Sequence, residues 1–118
     1  MSEKRVLVVD DEKLNLRLFR EFLLNRGYRV TVVDNSGDVL KTVSRENPGA
    51  IIMDIIMPGQ NGDQIAAKLK EDPATRHIPI ILITADILKS SDNLPADYFI
   101  RRPVIGDDLL SILTGIFA

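Results

Sequence analysis

The sequence of 118 residues contains no cysteine and no tryptophan, and only four Phe and two Tyr. Without cysteine there are no disulfides, thiolate metal sites or cysteine nucleophiles, and the scarcity of aromatics leaves the core to aliphatic side chains. Neither sign of charge dominates: 15 Lys and Arg against 17 Asp and Glu give a net charge of −2. The basic excess that accompanies phosphate-backbone binding is missing, so no direct nucleic-acid partner is expected. No apolar run approaches the ~18 residues that cross a membrane, and the expected location is cytoplasmic, away from lipid. What is present is 45% hydrophobic and 27% charged residues, a globular rather than a disordered composition. That length suits one core, so residues 1–118 are read as one domain.

Short aliphatic runs alternate with longer amphipathic stretches, which predicts strand and helix units around a parallel sheet. Arg5 to Val9 reads as a strand buried on both faces that breaks into acid at Asp10. A helix follows from Glu12, with Leu14, Leu18, Phe22 and Leu23 as its apolar stripe and Gly27 just past its end. Tyr28 to Val33 is a second strand. Asp34, Asn35 and Ser36 offer caps for a helix burying Val39, Leu40 and Val43, and Asn47-Pro48-Gly49 stops it. Ala50 to Met53 is the third strand, followed by a helix carrying Ile65, Ala66 and Leu69 that closes at Asp72-Pro73. Ile78 to Ile83 and Tyr98 to Arg101 are the fourth and fifth strands, and Leu109, Leu110, Leu113 and Ile116 mark a last helix. Five strands and about five helices result.

Parallel strands end together at their carboxyl edge, where open α/β sheets bind ligands. Asp10 and Asp11 follow the first strand, Asp54 ends the third, Thr84 follows the fourth and Arg102 the fifth. If the first and third strands are neighbours, three carboxylates converge. Two like charges about 4 Å apart repel by roughly 4 kcal/mol at an effective dielectric of 20, so such a cluster should hold a proton or bind a cation. Oxygen ligands without His or Cys suit Mg2+, which keeps waters and leaves room for phosphate oxygens. Each residue also has a plainer reading: Asp10 and Asp11 as helix caps, Asp54 as the opening of an Asx turn, Thr84 as a cap, Arg102 as a surface charge. Their common placement at strand ends favours a site for metal and phosphate. His77 precedes the fourth strand, away from that edge, and is not expected to carry phosphate.

Val6-Leu-Val-Val-Asp-Asp11, Met53-Asp-Ile-Ile-Met-Pro-Gly59 with Gly62, Ile80-Ile-Leu-Ile-Thr-Ala85 and Arg102-Pro103 together make the sequence resemble the receiver domain of bacterial two-component response regulators, of the single-domain type. The resemblance extends over essentially the whole chain. It implies a flavodoxin-like, doubly wound, five-stranded parallel sheet in the order 2-1-3-4-5. It implies that Asp54 is the phosphoacceptor and that Asp10, Asp11, Asp54 and the backbone carbonyl of Ile56 hold Mg2+. Thr84 would bond the phosphoryl group and move inward with it, Phe99 would rotate in step, and Arg102 would supply a cation. The implied partners are a histidine kinase or histidine phosphotransfer protein and a downstream protein target. The implied role is a switch that catalyses only its own phosphotransfer and dephosphorylation, not an enzyme in the ordinary sense.

The sequence departs from that family in two places. Arg102 stands where the family has Lys, and a planar fork is not interchangeable with a compact ammonium; neighbouring Arg101 is a second candidate to face the site. The crossover from Ala85 to Ala96 is short, leaving residues 86–93 room for a helix of little more than two turns, expected to open easily and to respond to phosphorylation through Thr84. These departures support an alternative, a receiver-like protein-interaction domain that acts without phosphorylation. Intact Asp11, Asp54 and Thr84 oppose it. An aspartyl-phosphate hydrolase would need a second acid two residues after the nucleophile, where Ile56 stands.

Overall fold

Four runs of β-branched and aliphatic residues, too short for helices, and one aromatic run form the strands of the chain, whose computed structural model describes residues 3–84 and 95–118. They are β1 (Arg5–Val9), β2 (Arg29–Val33), β3 (Ala50–Asp54), β4 (Ile80–Thr84) and β5 (Tyr98–Arg101), all parallel, in the order β2-β1-β3-β4-β5. Among the described residues the helices are α1 (Lys13–Leu24), α2 (Val39–Glu46), α3 (Gly62–Glu71) and α4 (Gly106–Ile116), with a 3-10 turn at Ser36–Asp38 before α2. The expected doubly wound sheet and its order are therefore present. The expected fourth crossover helix, residues 86–93 with Asp86, lies outside the described residues.

Alternation along each strand divides the core in two. Leu7, Val9, Ile51, Met53 and Leu82 point to one face and pack with Val39 and Val43 of α2 and Ile65, Ala66 and Leu69 of α3. Val6, Val8, Ile52, Ile81 and Ile83 point to the other face and meet Leu16 and Leu23 of α1 and Leu109 and Leu113 of α4. Every residue of β3 from Ala50 to Met53 is fully buried, and burial of one such aliphatic side chain contributes roughly 1.5–3 kcal/mol. The central strands are thus held by packing on both faces, which fixes the positions of the residues at their ends.

Local signals end the helices as read. Gly27 sits at φ 88° after α1 and Asn47 at φ 49° after α2, the left-handed conformation that turns the chain back. The Asn35 side chain accepts from the Asp38 N–H at 2.9 Å, and the Gln64 side chain accepts from the Asn61 N–H at 3.0 Å at the start of α3. At the amino edge of the sheet, Lys70 donates to the Ile78 carbonyl at 2.8 Å and to Asp97 at 2.7 Å, while Asp97 accepts the Ile80 N–H at 2.8 Å. This staple fastens α3 to the starts of β4 and β5.

Three expected core positions are on the surface. Leu14 and Leu18 are 63% and 56% exposed, because a second stripe, Leu16, Phe19 and Leu23, is the one that faces the sheet. A helix with leucines on two adjacent stripes can turn only one toward a flat partner. Leu40 is likewise exposed, its place in the core taken by Val39, Thr42 and Val43. Strand limits moved by a residue or two: Ile78 and Pro79 precede β4 rather than opening it.

Gly62 packs directly beneath the end of β3. Its N–H donates to the Ile55 carbonyl at 2.7 Å, and a Cβ there would collide with the Asp54 carbonyl oxygen and crowd the Ile55 Cα. Gly62→Ala is therefore expected to cost about 1–3 kcal/mol through overpacking. Gly115→Ala on α4, where a Cβ meets nothing within 4 Å, should stabilise by up to ~1 kcal/mol through helix propensity. Urea unfolding of both variants checks the pair; a silent Gly62→Ala would show that the loop after β3 is not pinned to the strand.

Candidate functional site

Register brings the acids together. Val9 pairs with Met53 and Asp54 with Ile83, so the residues that leave β1 and β3 emerge side by side. Asp10, Asp11 and Asp54 each present a carboxylate oxygen, and these lie within 4.8 Å of one another. The three differ sharply in environment. Asp10 is 2% exposed; one oxygen accepts the Glu12 N–H at 2.9 Å, and the other accepts Asn15 Nδ2 at 3.2 Å and Arg102 Nη2 at 3.1 Å. Asp11 is exposed, and its carboxylate takes no hydrogen bond among the described residues. Asp54 is half-buried; Oδ2 accepts Arg102 Nη2 at 3.1 Å, while Oδ1 receives only a long 3.4 Å approach from the Ile56 N–H.

The plainer readings of two acids hold at the same time as the clustering. Asp10 does tie down the backbone just before α1, and Asp54 does make a loose Asx turn. Neither duty uses more than one oxygen, which leaves the second for the cluster. The donor set, hard carboxylate oxygens at one edge, fits a divalent cation such as Mg2+.

Thr84 is buried at the end of β4, one residue past the Ile83 that pairs with Asp54, and it stands in register with Arg101. Arg101 is exposed and does not reach the acids. The choice between the two arginines is settled in favour of Arg102, whose N–H donates to the Thr84 carbonyl at 2.8 Å and whose side chain turns back over the edge. Ile56 follows Asp54 by two residues, with its side chain 61% exposed. Phe99, in register with Leu82 on the edge strand, is 41% exposed. His77 is exposed in the turn before β4, at the opposite end of the sheet. One contributor was not foreseen: Asn15, which bridges Asp10 and Glu12 at 3.2 and 3.1 Å. Its only trace in the sequence is an amide in the first turn of α1, five residues after Asp10.

Burial raises the Asp54 carboxyl above the ordinary carboxylate range, with Asp10 adding to the rise, and the Arg102 guanidinium acts in the opposite direction. Desolvation outweighs the ion pair, so the ionised form of Asp54 is held at a cost in the cation-free state.

The sequence model for the family described as response regulator receiver domain matches residues 6–114. The response regulator PleD of Caulobacter vibrioides is 37% identical over 111 residues, covering 90% of this chain but 24% of PleD. The chain thus spans about a quarter of that relative. Protein PilH of Pseudomonas aeruginosa is 31% identical over 119 residues, 97% of this chain and 98% of PilH. Among solved structures, the response regulator protein TrrA of Thermotoga maritima, in complex with Mg2+ and BeF, superposes with a TM-score of 0.87 at 31% identity, over 96% of this chain and 98% of that one.

The raised Asp54 value has a direct consequence for stability. A group whose pKa is higher folded than unfolded contributes stability that is fully present below the unfolded value and is lost as pH rises through the folded value. The stability of the protein minus that of Asp54→Asn should therefore fall from about pH 4 toward pH 7 in cation-free buffer. Urea midpoints of the two proteins across that range measure it; a difference that grows with pH would mean the ion pair with Arg102 outweighs desolvation.

Proposed function

The chain belongs to the response regulator receiver domain family, and from that premise we propose that it is a phosphorylation-switched signalling protein of a two-component phosphorelay, accepting a phosphoryl group on Asp54 from a histidine kinase or a histidine phosphotransfer protein. The observation that carries this reading is the convergence of Asp10, Asp11, Asp54 and Arg102 at the carboxyl edge of the sheet.

Of the three acids, Asp54 is the one suited to attack. Asp10 is buried and accepts three hydrogen bonds; Asp11 is exposed and unfixed; Asp54 is anchored by a rigid strand yet keeps one oxygen nearly unencumbered. That oxygen attacks phosphorus as the bond from phosphorus to the donor imidazole nitrogen breaks, the electron pair leaves with the nitrogen, and an acyl phosphate forms. Mg2+, held by Asp10, Asp11, Asp54 and the Ile56 carbonyl, would neutralise the crowded carboxylates and the charge on the phosphoryl oxygens. Arg102 and Thr84 contribute a cation and a hydroxyl to the same oxygens, and Phe99 on β5 follows Thr84 in the switched state.

Partner contact has a surface to use. Leu14, Ile56 and Ile105, 63%, 61% and 57% exposed, all stand on segments that leave or flank the acid edge, where a protein phosphodonor must approach. The reading includes a downstream protein target, a cytoplasmic setting, and a single receiver unit over residues 1–118. Among the described residues no helix is long and apolar enough to cross a membrane.

Incubation with a competent phosphodonor protein and Mg2+ should label the protein and leave Asp54→Asn unlabelled. Labelling that persists in the variant would move the acceptor elsewhere; no labelling of either protein by any donor, with partner binding intact, would favour the phosphorylation-independent interaction domain. Release of the phosphoryl group should be slow, because hydrolysis needs an aligned water and the exposed Ile56 offers it no hydrogen bond. Ile56→Asn is expected to speed dephosphorylation several-fold, read as decay of the label after the donor is removed. An unchanged or slower decay would reject that role for residue 56.

A further inference from the structure

The sheet has an open edge at β2, opposite β5. Among the described residues β2 pairs with β1 and with no other strand. The Arg29 N–H donates to the Lys4 carbonyl at 2.8 Å and the Val33 carbonyl accepts the Asp10 N–H at 3.2 Å, so residues 29, 31 and 33 turn their backbone groups toward β1. By the alternation of a parallel ladder, the N–H and C=O groups of Val30 and Val32 turn outward, where an added strand would meet them. The end of that edge, at Val32 and Val33, is the floor of a groove of about 610 Å3 walled by α1 and α2. The walls are basic. Lys13, Arg17 and Arg20 recur along one stripe of α1, and Lys41 and Arg45 stand one turn apart on α2. Against these five cations the lining offers two acids, Asp34 and Asp38, in a chain whose net charge is −2. Lys41 pairs with Asp38 at 2.7 Å, and Arg17 and Arg45 pair with Glu21 and Glu46 at 3.2 Å. Lys13 and Arg20 are exposed and have no ion pair among the described residues.

We propose that β2 is a docking edge for an acidic, extended segment of a partner protein, which adds to the sheet beside β2 and places its carboxylates between the cations of α1 and α2. The side chains of a strand alternate between two faces, and this edge meets cations on both. Helix α1 packs on the face that carries Val6, Val8 and Val30, and α2 on the face that carries Val33. A segment with acids at adjacent positions therefore reaches both walls at once, while its backbone pairs with the outward groups of Val30 and Val32. Val32, 39% exposed, adds an apolar contact. A second copy of this chain is a poor occupant, because its own β2 brings the same five cations. Charged side chains guard a sheet edge against indiscriminate pairing, and a guard of one sign admits a strand of the opposite sign. None of the residues that line the groove belongs to the acid cluster or is Arg102, so the contact does not draw on the side chains around Asp54.

The probe is a synthetic peptide of about eight residues, capped at both ends, with two pairs of adjacent Glu and with Val or Thr elsewhere, titrated into the full chain at low salt. Backbone amides are followed by NMR. The expected result is saturable binding with slowed hydrogen exchange at the Val30 and Val32 amides and little change at Thr31, whose N–H faces β1. Binding should weaken about fivefold when Lys13→Gln and Arg20→Gln are combined, since these exposed changes break no ion pair within the chain. It should be lost for the same peptide with Gln in place of Glu. The Glu peptide methylated on its pairing amides should also fail to bind, a readout that needs no variant to fold. Equal binding of the Gln peptide, or binding of the Glu peptide without protection of Val30 and Val32, would overturn strand addition at this edge. Absence of binding by the Glu peptide would overturn it as well, and inorganic tripolyphosphate binding in its place would mark the groove as a phosphate site instead.

Discussion

Crowding of like charge at one edge of a parallel sheet is the constraint around which this molecule is organised. Hydrogen-bond register places the ends of β1 and β3 together, and the sequence puts an acid at each end. Nothing in the aliphatic core can relieve the resulting repulsion, because the core is what fixes the strands in that register. Relief has to come from a positive charge brought to the edge, and in the resting protein it comes from the far end of the chain, from Arg102, 48 residues from Asp54 and 92 from Asp10.

That arrangement links stability and function through the same atoms. On the proposed reading Asp54 must be ionised, oriented and reachable, and desolvation works against the first of these. Asp54 is raised by burial and restrained by Arg102, so a further positive charge at the edge favours its ionised form. The buried ends of β1 and β3, with Gly62 packed under Asp54, fix where the Asp54 carboxylate stands. Arg102, Thr84 and Phe99 lie to the other side of β3, at β4 and β5, where β5 is an edge strand and carries exposed aromatics.

The architecture was legible because its determinants are local. Strands announce themselves by runs such as Ile80 to Ile83, helix ends by Gly27 and Asn47, and the acid edge by Asp10, Asp11 and Asp54 standing at strand ends. What was not legible depends on rotation and reach. Periodicity could not tell which of two leucine stripes on α1 meets the sheet, and Leu14 and Leu18 proved to be outside. Nor does a sequence reveal that a side chain will turn back over its own strand end: adjacency to Pro103 favours Arg102 over Arg101, but the contacts of Arg102 with Thr84, Asp10 and Asp54 are visible only in the structure. Asn15 escaped notice for a related reason, since its partner is set by the angle at which α1 leaves β1. The fourth crossover lies outside the described residues.

The central claim is that the acid edge is a phosphoryl site centred on Asp54 and opened by a divalent cation. Its most direct test is the backbone amide spectrum of the protein recorded with Mg2+ and with beryllofluoride, singly and together. The account predicts that beryllofluoride alone does little and that the two together shift a contiguous set of amides at Asp54 to Ile56, Thr84, Phe99 and Arg102, with none of this in Asp54→Asn. Shifts scattered away from the carboxyl edge, or the same shifts in Asp54→Asn, would contradict it.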